Sequence, residues 1–214
     1  MVTREYSLVD RFILRLDRRI GGVFKPHPPA RNPYPAANVR EAGLDEAERR
    51  HSACLMRVNH AGEVSAQALY QGQSLFSRDA AIRQRLQQSA SEEVDHLDWC
   101  RQRLEELGDR TSFLNPLWGS GSFSIGVLAG LAGDKWSLGF IAETERQVVR
   151  HLQRHLQRLP AADTRSRAIL EQMVEDEARH GESAMESGGV ELPYPVRVLM
   201  TACSKVMTGT AYYL

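Results

Sequence analysis

EEVDHL (residues 92–97) and EDEARH (residues 175–180) each contain the tetrapeptide E-x-x-H, Glu93 to His96 and Glu177 to His180. On a helix, a Glu and a His three positions apart share one face and can grip the same ion. One copy is weak evidence, since Glu48-Arg-Arg-His51 has the same form in a capping position with no matching partner. Two inward-facing copies, each joined by a carboxylate on the preceding helix, form the ligand set of di-iron and di-manganese bundles.

Spacing identifies those carboxylates. Glu63 lies 15 residues before Arg78 and Glu93 lies 15 after it; Glu145 lies 16 before Ala161 and Glu177 lies 16 after it. With turns near Arg78 and Ala161, the members of each pair stand at one height, the second pair about 24 Å from its turn at roughly 1.5 Å per residue. The two pairs are an approximate internal repeat. Facing agrees with height, because Glu145 is flanked by Leu138, Ile141, Val148, Val149 and Leu152 at helical spacing. Glu177 has Leu170, Met173 and Val174 behind it, and Glu93 has Leu86 and Ala90 behind with Leu97 and Cys100 ahead. Glu143 is followed by Arg146, Gln147 and Arg150 and is expected to face solvent. Buried ionised carboxylates are costly unless paired or coordinating a metal, so four of them on apolar stripes imply cations.

The rest of the chain reads as helix. Asp45 with Glu48 forms a capping box opening a pattern that runs to about Phe76, and a second runs from Asp79 to Leu107, ended by Gly108. The segment from Thr111 to Ser122, with Pro116, reads as a loop; Ser122 to Leu131 and Ser137 to Leu159 read as helix, interrupted at Gly133-Asp134 and stopped by Pro160. Asp163 caps a fourth long helix ending at Gly188-Gly189, and an apolar helix beyond Pro195 reaches about Met207. No strand-like alternation of useful length occurs. The expected fold is all-α: an antiparallel four-helix bundle with an extra short apolar helical hairpin and a C-terminal helix. Residues 1–40, with the Arg-rich RFILRLDRRI and a Pro-rich tract, read as a basic arm, and 41–214 as the helical domain.

Composition narrows the function. In 214 residues, 27 Lys and Arg balance 27 Asp and Glu, so no basic excess points to nucleic acid. Cys54, Cys100 and Cys203 are far apart with no CxxC, which excludes a zinc ribbon or a disulfide framework and suggests a reducing compartment. The first residues, MVTREYSLVDRF, lack the apolar core of a secretory signal, so a cytoplasmic location is expected. The most apolar run, FSIGVLAGLAG from Phe123 to Gly133, is about half of the roughly 20 residues that span a bilayer.

Through RVNHAGEVSAQALYQGQ (57–73), EEVDHL, the Glu145 helix and EDEARH, residues 45 to 214 resemble the demethoxyubiquinone hydroxylase family of ubiquinone biosynthesis, within the ferritin-like di-iron carboxylate proteins. The resemblance implies a ferritin-like bundle in which Glu63, Glu93, His96, Glu145, Glu177 and His180 bind two iron ions and carry catalysis through them. It implies a monooxygenase that hydroxylates the ring of a polyprenyl methoxy-benzoquinol, with oxygen as co-substrate. The reductant is external, NADH or a protein donor, because the sequence has no flavin or dinucleotide fingerprint. Iron storage or redox buffering by a ferritin-like protein, and a di-metal enzyme such as manganese catalase, are the rival readings.

Around the six residues, Asp176 and Glu92 are placed to reach across to His96 and His180 and hold their second ring nitrogens, with helix-surface charge as the alternative. Tyr70, two turns beyond Glu63, either bonds near the oxygen site or is an ordinary core tyrosine. His60 reads as structural, and His151 and His155 mainly as surface, with a reductant or quinone contact as the alternative. Phe123, Ile125, Val127, Leu128 and Leu131, with Trp118 and Trp136 at the flanks, suit an interfacial helix on the cytoplasmic face of the cell membrane. The Gly126/Gly130 pair belongs to the same reading, and burial against another subunit is the competing one, since small residues four apart also favour helix packing. A homo-oligomer or other ubiquinone-biosynthesis proteins are the remaining partners to consider.

Overall fold

Asp45 accepts hydrogen bonds from the backbone N–H groups of Ala47 and Glu48, and the Glu48 carboxylate accepts from the Asp45 N–H. This capping box starts the first of six helices in the computed structural model, which describes residues 31–40 and 43–214. The helices are α1 (Glu46–Phe76), α2 (Ala80–Glu106), α3 (Asn115–Ala132), α4 (Asp134–Arg158), α5 (Thr164–Glu186) and α6 (Tyr194–Ala211). Asp79 and Asp163 cap α2 and α5, and Gly108 and Gly188, with φ of 73° and 99°, turn the chain beyond α2 and α5. The described chain is all-α, with no strand among the described residues.

The short turns after α1 and α4 fold α1–α2 and α4–α5 into two helical hairpins, and apolar layers on either side of mid-height join them. One layer packs Leu55 and Met56 of α1, Trp99, Cys100 and Leu104 of α2, Leu152 of α4, and Ile169, Leu170 and Met173 of α5. The other packs Tyr70, Leu86, Ala90, Leu138, Ile141 and Ala184. Between them lie the levels of Glu63, Glu93, Glu145 and Glu177, as the matched heights require.

Polar bonds tie the ends together. Asp134 accepts from the N–H groups of Arg78 and Asp79 at 3.1 and 3.0 Å, fixing the α1–α2 turn to the start of α4. Buried Arg103 reaches Ser166 and Asp163, each at 2.9 Å, joining α2 to the α5 cap. The arm is held where it is described: Asp95 accepts from the Arg31 N–H at 2.6 Å and the Asn32 side chain at 2.7 Å, and Ala36 is buried in the core. The RFILRLDRRI piece lies outside the described residues.

Helix α3 begins at Asn115, earlier than the expected Ser122, because Pro116 occupies the first turn, where its missing N–H removes no helical bond. It runs along α1 at backbone contact. A Cβ on Gly72 or Gly126 would overlap main-chain atoms of the facing helix, and one on Gly130 would stand 2.9 Å from the Gln73 carbonyl oxygen. The glycine face of α3 thus packs within the chain, leaving Leu117, Ile125, Leu128 and Leu131 exposed on its other side. Helix α6 also exposes apolar residues, among them Val198, Leu199 and Val206. No described helix is long and apolar enough to cross a membrane.

Gly126→Val should force α3 off α1 and lower unfolding free energy by about 1–3 kcal/mol or more in urea denaturation. Wild-type stability in that variant would contradict the backbone contact.

Candidate metal centre

Each hairpin brings one lone glutamate and one E-x-x-H pair to the centre. Glu63, Glu93, His96, Glu145, Glu177 and His180 are all buried, none more than 6% exposed. Ligand-type atoms of Glu63, Glu93, His96 and Glu177 lie within 4.8 Å of one another. His96 Nδ1 stands 3.2 Å from Glu93, 3.1 Å from Glu177 and 3.5 Å from Glu63. His180 Nδ1 stands 3.3 Å from the other oxygen of Glu93 and 3.3 Å from the other oxygen of Glu177. Glu93 and Glu177 therefore each span both imidazoles. Glu145, hydrogen-bonded by Tyr70 at 2.5 Å, completes the set.

Both imidazoles turn Nδ1 inward because their Nε2 atoms are held. His96 Nε2 meets Asp176 at 3.2 Å and His180 Nε2 meets Glu92 at 2.7 Å, each bond crossing between α2 and α5. The paired residues immediately before the two inner glutamates thus orient the histidine of the opposite helix, fixing which nitrogen faces the cluster.

Electrostatics divides the acids. Burial pushes the Glu63 and Glu145 carboxyls well above the usual 4.5, with the charges of Glu177 and Glu93 adding to it. Burial also acts to raise Glu93 and Glu177, but their bonds to His180 and His96 prevail and hold both below the usual range. Burial opposes charge on the imidazoles, yet the surrounding carboxylates raise His96 and His180 well above 6.5. Asp176 is partly desolvated, but His96 and Arg179 bring it down to about 2. Burial and Glu145 keep Tyr70 protonated, so its hydroxyl donates.

The donor set fits divalent metal. Glu63 Oε2, Glu93 Oε1 and Glu145 Oε2 are buried without a well-directed hydrogen bond, although His180 lies near Glu93 Oε1. Acceptors in that state are what a cation satisfies. Carboxylate oxygens with imidazole nitrogen suit iron, manganese or zinc.

Two cavities reach this cluster. One, about 390 Å³, lies between α1, α3, α4 and α6, with Glu63 in its wall and Val58, Leu69, Leu128, Leu152 and Leu199 among its apolar lining. The other, about 540 Å³, lies between α4 and α5, touches Glu145 and Glu177, and is edged by Arg146, Arg150 and Glu182.

Three expectations change. Glu143 is 3% exposed rather than facing solvent, because Arg197 of α6 closes over it while Arg146 and Gln147 bond its carboxylate. His155 is buried, and desolvation lowers it to about 2; it does not lie at the surface. His151 lines the apolar cavity, and desolvation lowers it to about 4. His60 is buried beside the Asn115 side chain at 3.3 Å, a structural position as expected. The contribution of α6 to the cavity through Met200 and Met207 was visible in sequence only as an apolar C-terminal run.

An all-α bundle that buries one E-x-x-H pair on each of two helices and one glutamate on each of two others carries the side-chain set with which such bundles hold a metal pair. The chain belongs to the family described as ubiquinone biosynthesis protein COQ7, which its residues 50–211 match. It is 57% identical, over the whole of both chains, to a protein of Nitrosococcus oceani named 3-demethoxyubiquinol 3-hydroxylase. Proteins of the same name from Ralstonia pickettii and Acinetobacter baumannii are 56% and 54% identical, the matches covering 96% and 99% of this chain and 99% and 100% of theirs.

Without metal, the raised histidines stabilise the fold fully below their unfolded value of 6.5, and this contribution is lost as pH climbs through their folded values. The depressed Glu93 and Glu177 contribute fully above 4.5 and lose that contribution as pH falls through their folded values. Glu63 and Glu145, raised in the fold, cost stability as pH climbs above 4.5, so the metal-free protein should melt highest near pH 4.5 and progressively lower toward pH 9 in thermal scans. A midpoint rising steadily from pH 5 to 9 contradicts this charge arrangement.

Proposed function

We propose that the protein is a 3-demethoxyubiquinol 3-hydroxylase: a di-iron monooxygenase that adds a hydroxyl to the ring of a polyprenyl methoxy-benzoquinol, using oxygen and electrons from outside. The observation that carries this reading is the apolar cavity ending at Glu63. It connects the buried cluster to a surface rich in exposed apolar side chains, a path suited to a quinol ring with a greasy tail.

Glu63, Glu93, His96, Glu145, Glu177 and His180 would hold two iron ions, with Glu93 and Glu177 shared between the two histidine sides. When bound, the iron pair supplies oxygen binding and its reductive activation. The protein's residues do the rest. Asp176 and Glu92 keep both imidazoles in one tautomer with Nδ1 inward. Tyr70 holds Glu145 by donating its hydroxyl proton into a hydrogen bond. Val58, Leu69 and Leu152 exclude water around the ring, while the α4–α5 cavity offers oxygen and protons a separate approach beside Glu145 and Glu177. NADH or a protein donor supplies the electrons.

A storage role uses the same ligand set but has little need for an apolar cavity. Cells lacking the protein distinguish the two: accumulation of a demethoxy-quinone supports the hydroxylase, and an unchanged quinone profile contradicts it.

Purified protein should contain about two iron ions per chain, in line with the ligand set. Glu177→Ala or His180→Ala should lose much of that iron and all turnover; full iron content and activity in both variants contradict the assignment. Glu143 is buried under three arginines that themselves reach solvent, so Glu143→Ala should lower stability only modestly and retain most of its iron. Loss of all iron in that variant would place Glu143 within the site.

Peripheral membrane contact would use the exposed faces of α3 and α6, at the cytoplasmic face of the cell membrane. Leu128 and Leu131 are 67% and 52% exposed, so changing both to Glu should reduce liposome flotation without altering iron content. Unaltered flotation moves the contact elsewhere.

A further inference from the structure

A glycine inside a helix weakens it relative to alanine, so a helix that keeps one should show what the missing side chain permits. Helix α1 carries two in its 31 residues, Gly62 and Gly72. Gly72 has a packing reason, the main chain of α3 lying against it. Gly62 has none: a Cβ built there meets nothing within 4 Å, although the residue is half-buried. Gly121 and Gly209 also meet nothing, but both are exposed, and their missing side chains open onto the surface. The space beside Gly62 belongs instead to the apolar cavity.

Its place within that cavity is informative. Gly62 immediately precedes Glu63, which is 2% exposed and marks the inner end, whereas Leu128 and Leu199, 67% and 64% exposed, mark the outer rim. A molecule whose reactive end reaches the cluster through this cavity lies along a wall that includes Gly62, while its tail trails toward Leu128 and Leu199.

We propose that Gly62 is a specificity-determining residue of the quinol pocket: the volume left by its missing side chain seats the substituted edge of the ring beside Glu63. This rests on the quinol reading given above. A methyl on residue 62 points into the cavity, where no protein atom stands within 4 Å to be displaced, so its cost falls on the ligand. Rings bearing methoxy and methyl groups should feel that cost more than a bare ring with the same tail.

Iron-loaded protein kept free of oxygen and reductant, titrated calorimetrically with a short-tailed demethoxy-quinone, tests the proposal. Wild type should bind, Gly62→Ala should bind about tenfold or more weakly, and Gly62→Val should not saturate. A benzoquinone carrying the same tail but no methoxy or methyl group should lose much less affinity in Gly62→Ala. Iron content should stay at the wild-type level in Gly62→Ala, and its melting temperature should be equal or about 2–4 °C higher, because alanine favours the helix. Wild-type affinity for the substituted ring in both variants, or equal losses for both rings in Gly62→Ala, overturns the role of Gly62. Failure of wild type itself to bind either quinone overturns the substrate reading, and this inference with it.

Discussion

Four buried carboxylates and two buried imidazoles must balance one another in the middle of the bundle, and the architecture is organised around that requirement. Desolvating even one carboxylate costs several kcal/mol unless it is paired, so the six groups cannot drift apart. Glu93 and Glu177 meet the demand by each spanning both histidines. Asp176 and Glu92 then prevent either imidazole from turning its wrong nitrogen inward. Apolar layers on either side hold the helices at the heights that make these contacts possible.

The same constraint divides labour among the helices. α2 and α5 contribute both E-x-x-H pairs and the cross-links between them, so they fix the cluster. α1 and α4 contribute one glutamate each and use their remaining faces for access. α1 therefore has two opposite demands along its length: near Gly72 it admits another backbone, and near Gly62 it leaves space. α3 and α6 complete the apolar cavity while carrying exposed apolar surface at its outer rim. Charge at the centre and grease at the approach suit chemistry on a lipid-tailed molecule.

Much of this was legible in the sequence because it follows helical periodicity. The equal spacing of Glu63 and Glu93 about Arg78, and of Glu145 and Glu177 about Ala161, located the cluster, and the pseudo-twofold relation pointed to Asp176 and Glu92. Asp45, Asp79 and Asp163 declared their helix starts through their side-chain chemistry. The surroundings of Glu143, His151 and His155 lie beyond what periodicity shows. Periodicity reports the face turned toward the bundle, whereas their environment depends on tertiary packing, with Arg197 of α6 covering Glu143 and the α6 side of the cavity enclosing His151. Pro116 suggests a loop because proline breaks helix interiors, yet it sits at a helix start, where it is tolerated. Gly62 carried no local signal, since its empty surroundings exist only after four helices assemble.

On the function proposed above, this charge-balanced cluster, once loaded with iron, inserts oxygen into a quinol held in the adjoining cavity. Isotope-labelled oxygen gas, given with reductant to the iron-loaded protein and a short-tailed demethoxy-quinol, tests it most directly by mass spectrometry of the product. One labelled oxygen atom is expected in the new ring hydroxyl. Label entering only from water, or iron oxidation with the quinol ring unchanged, would contradict it.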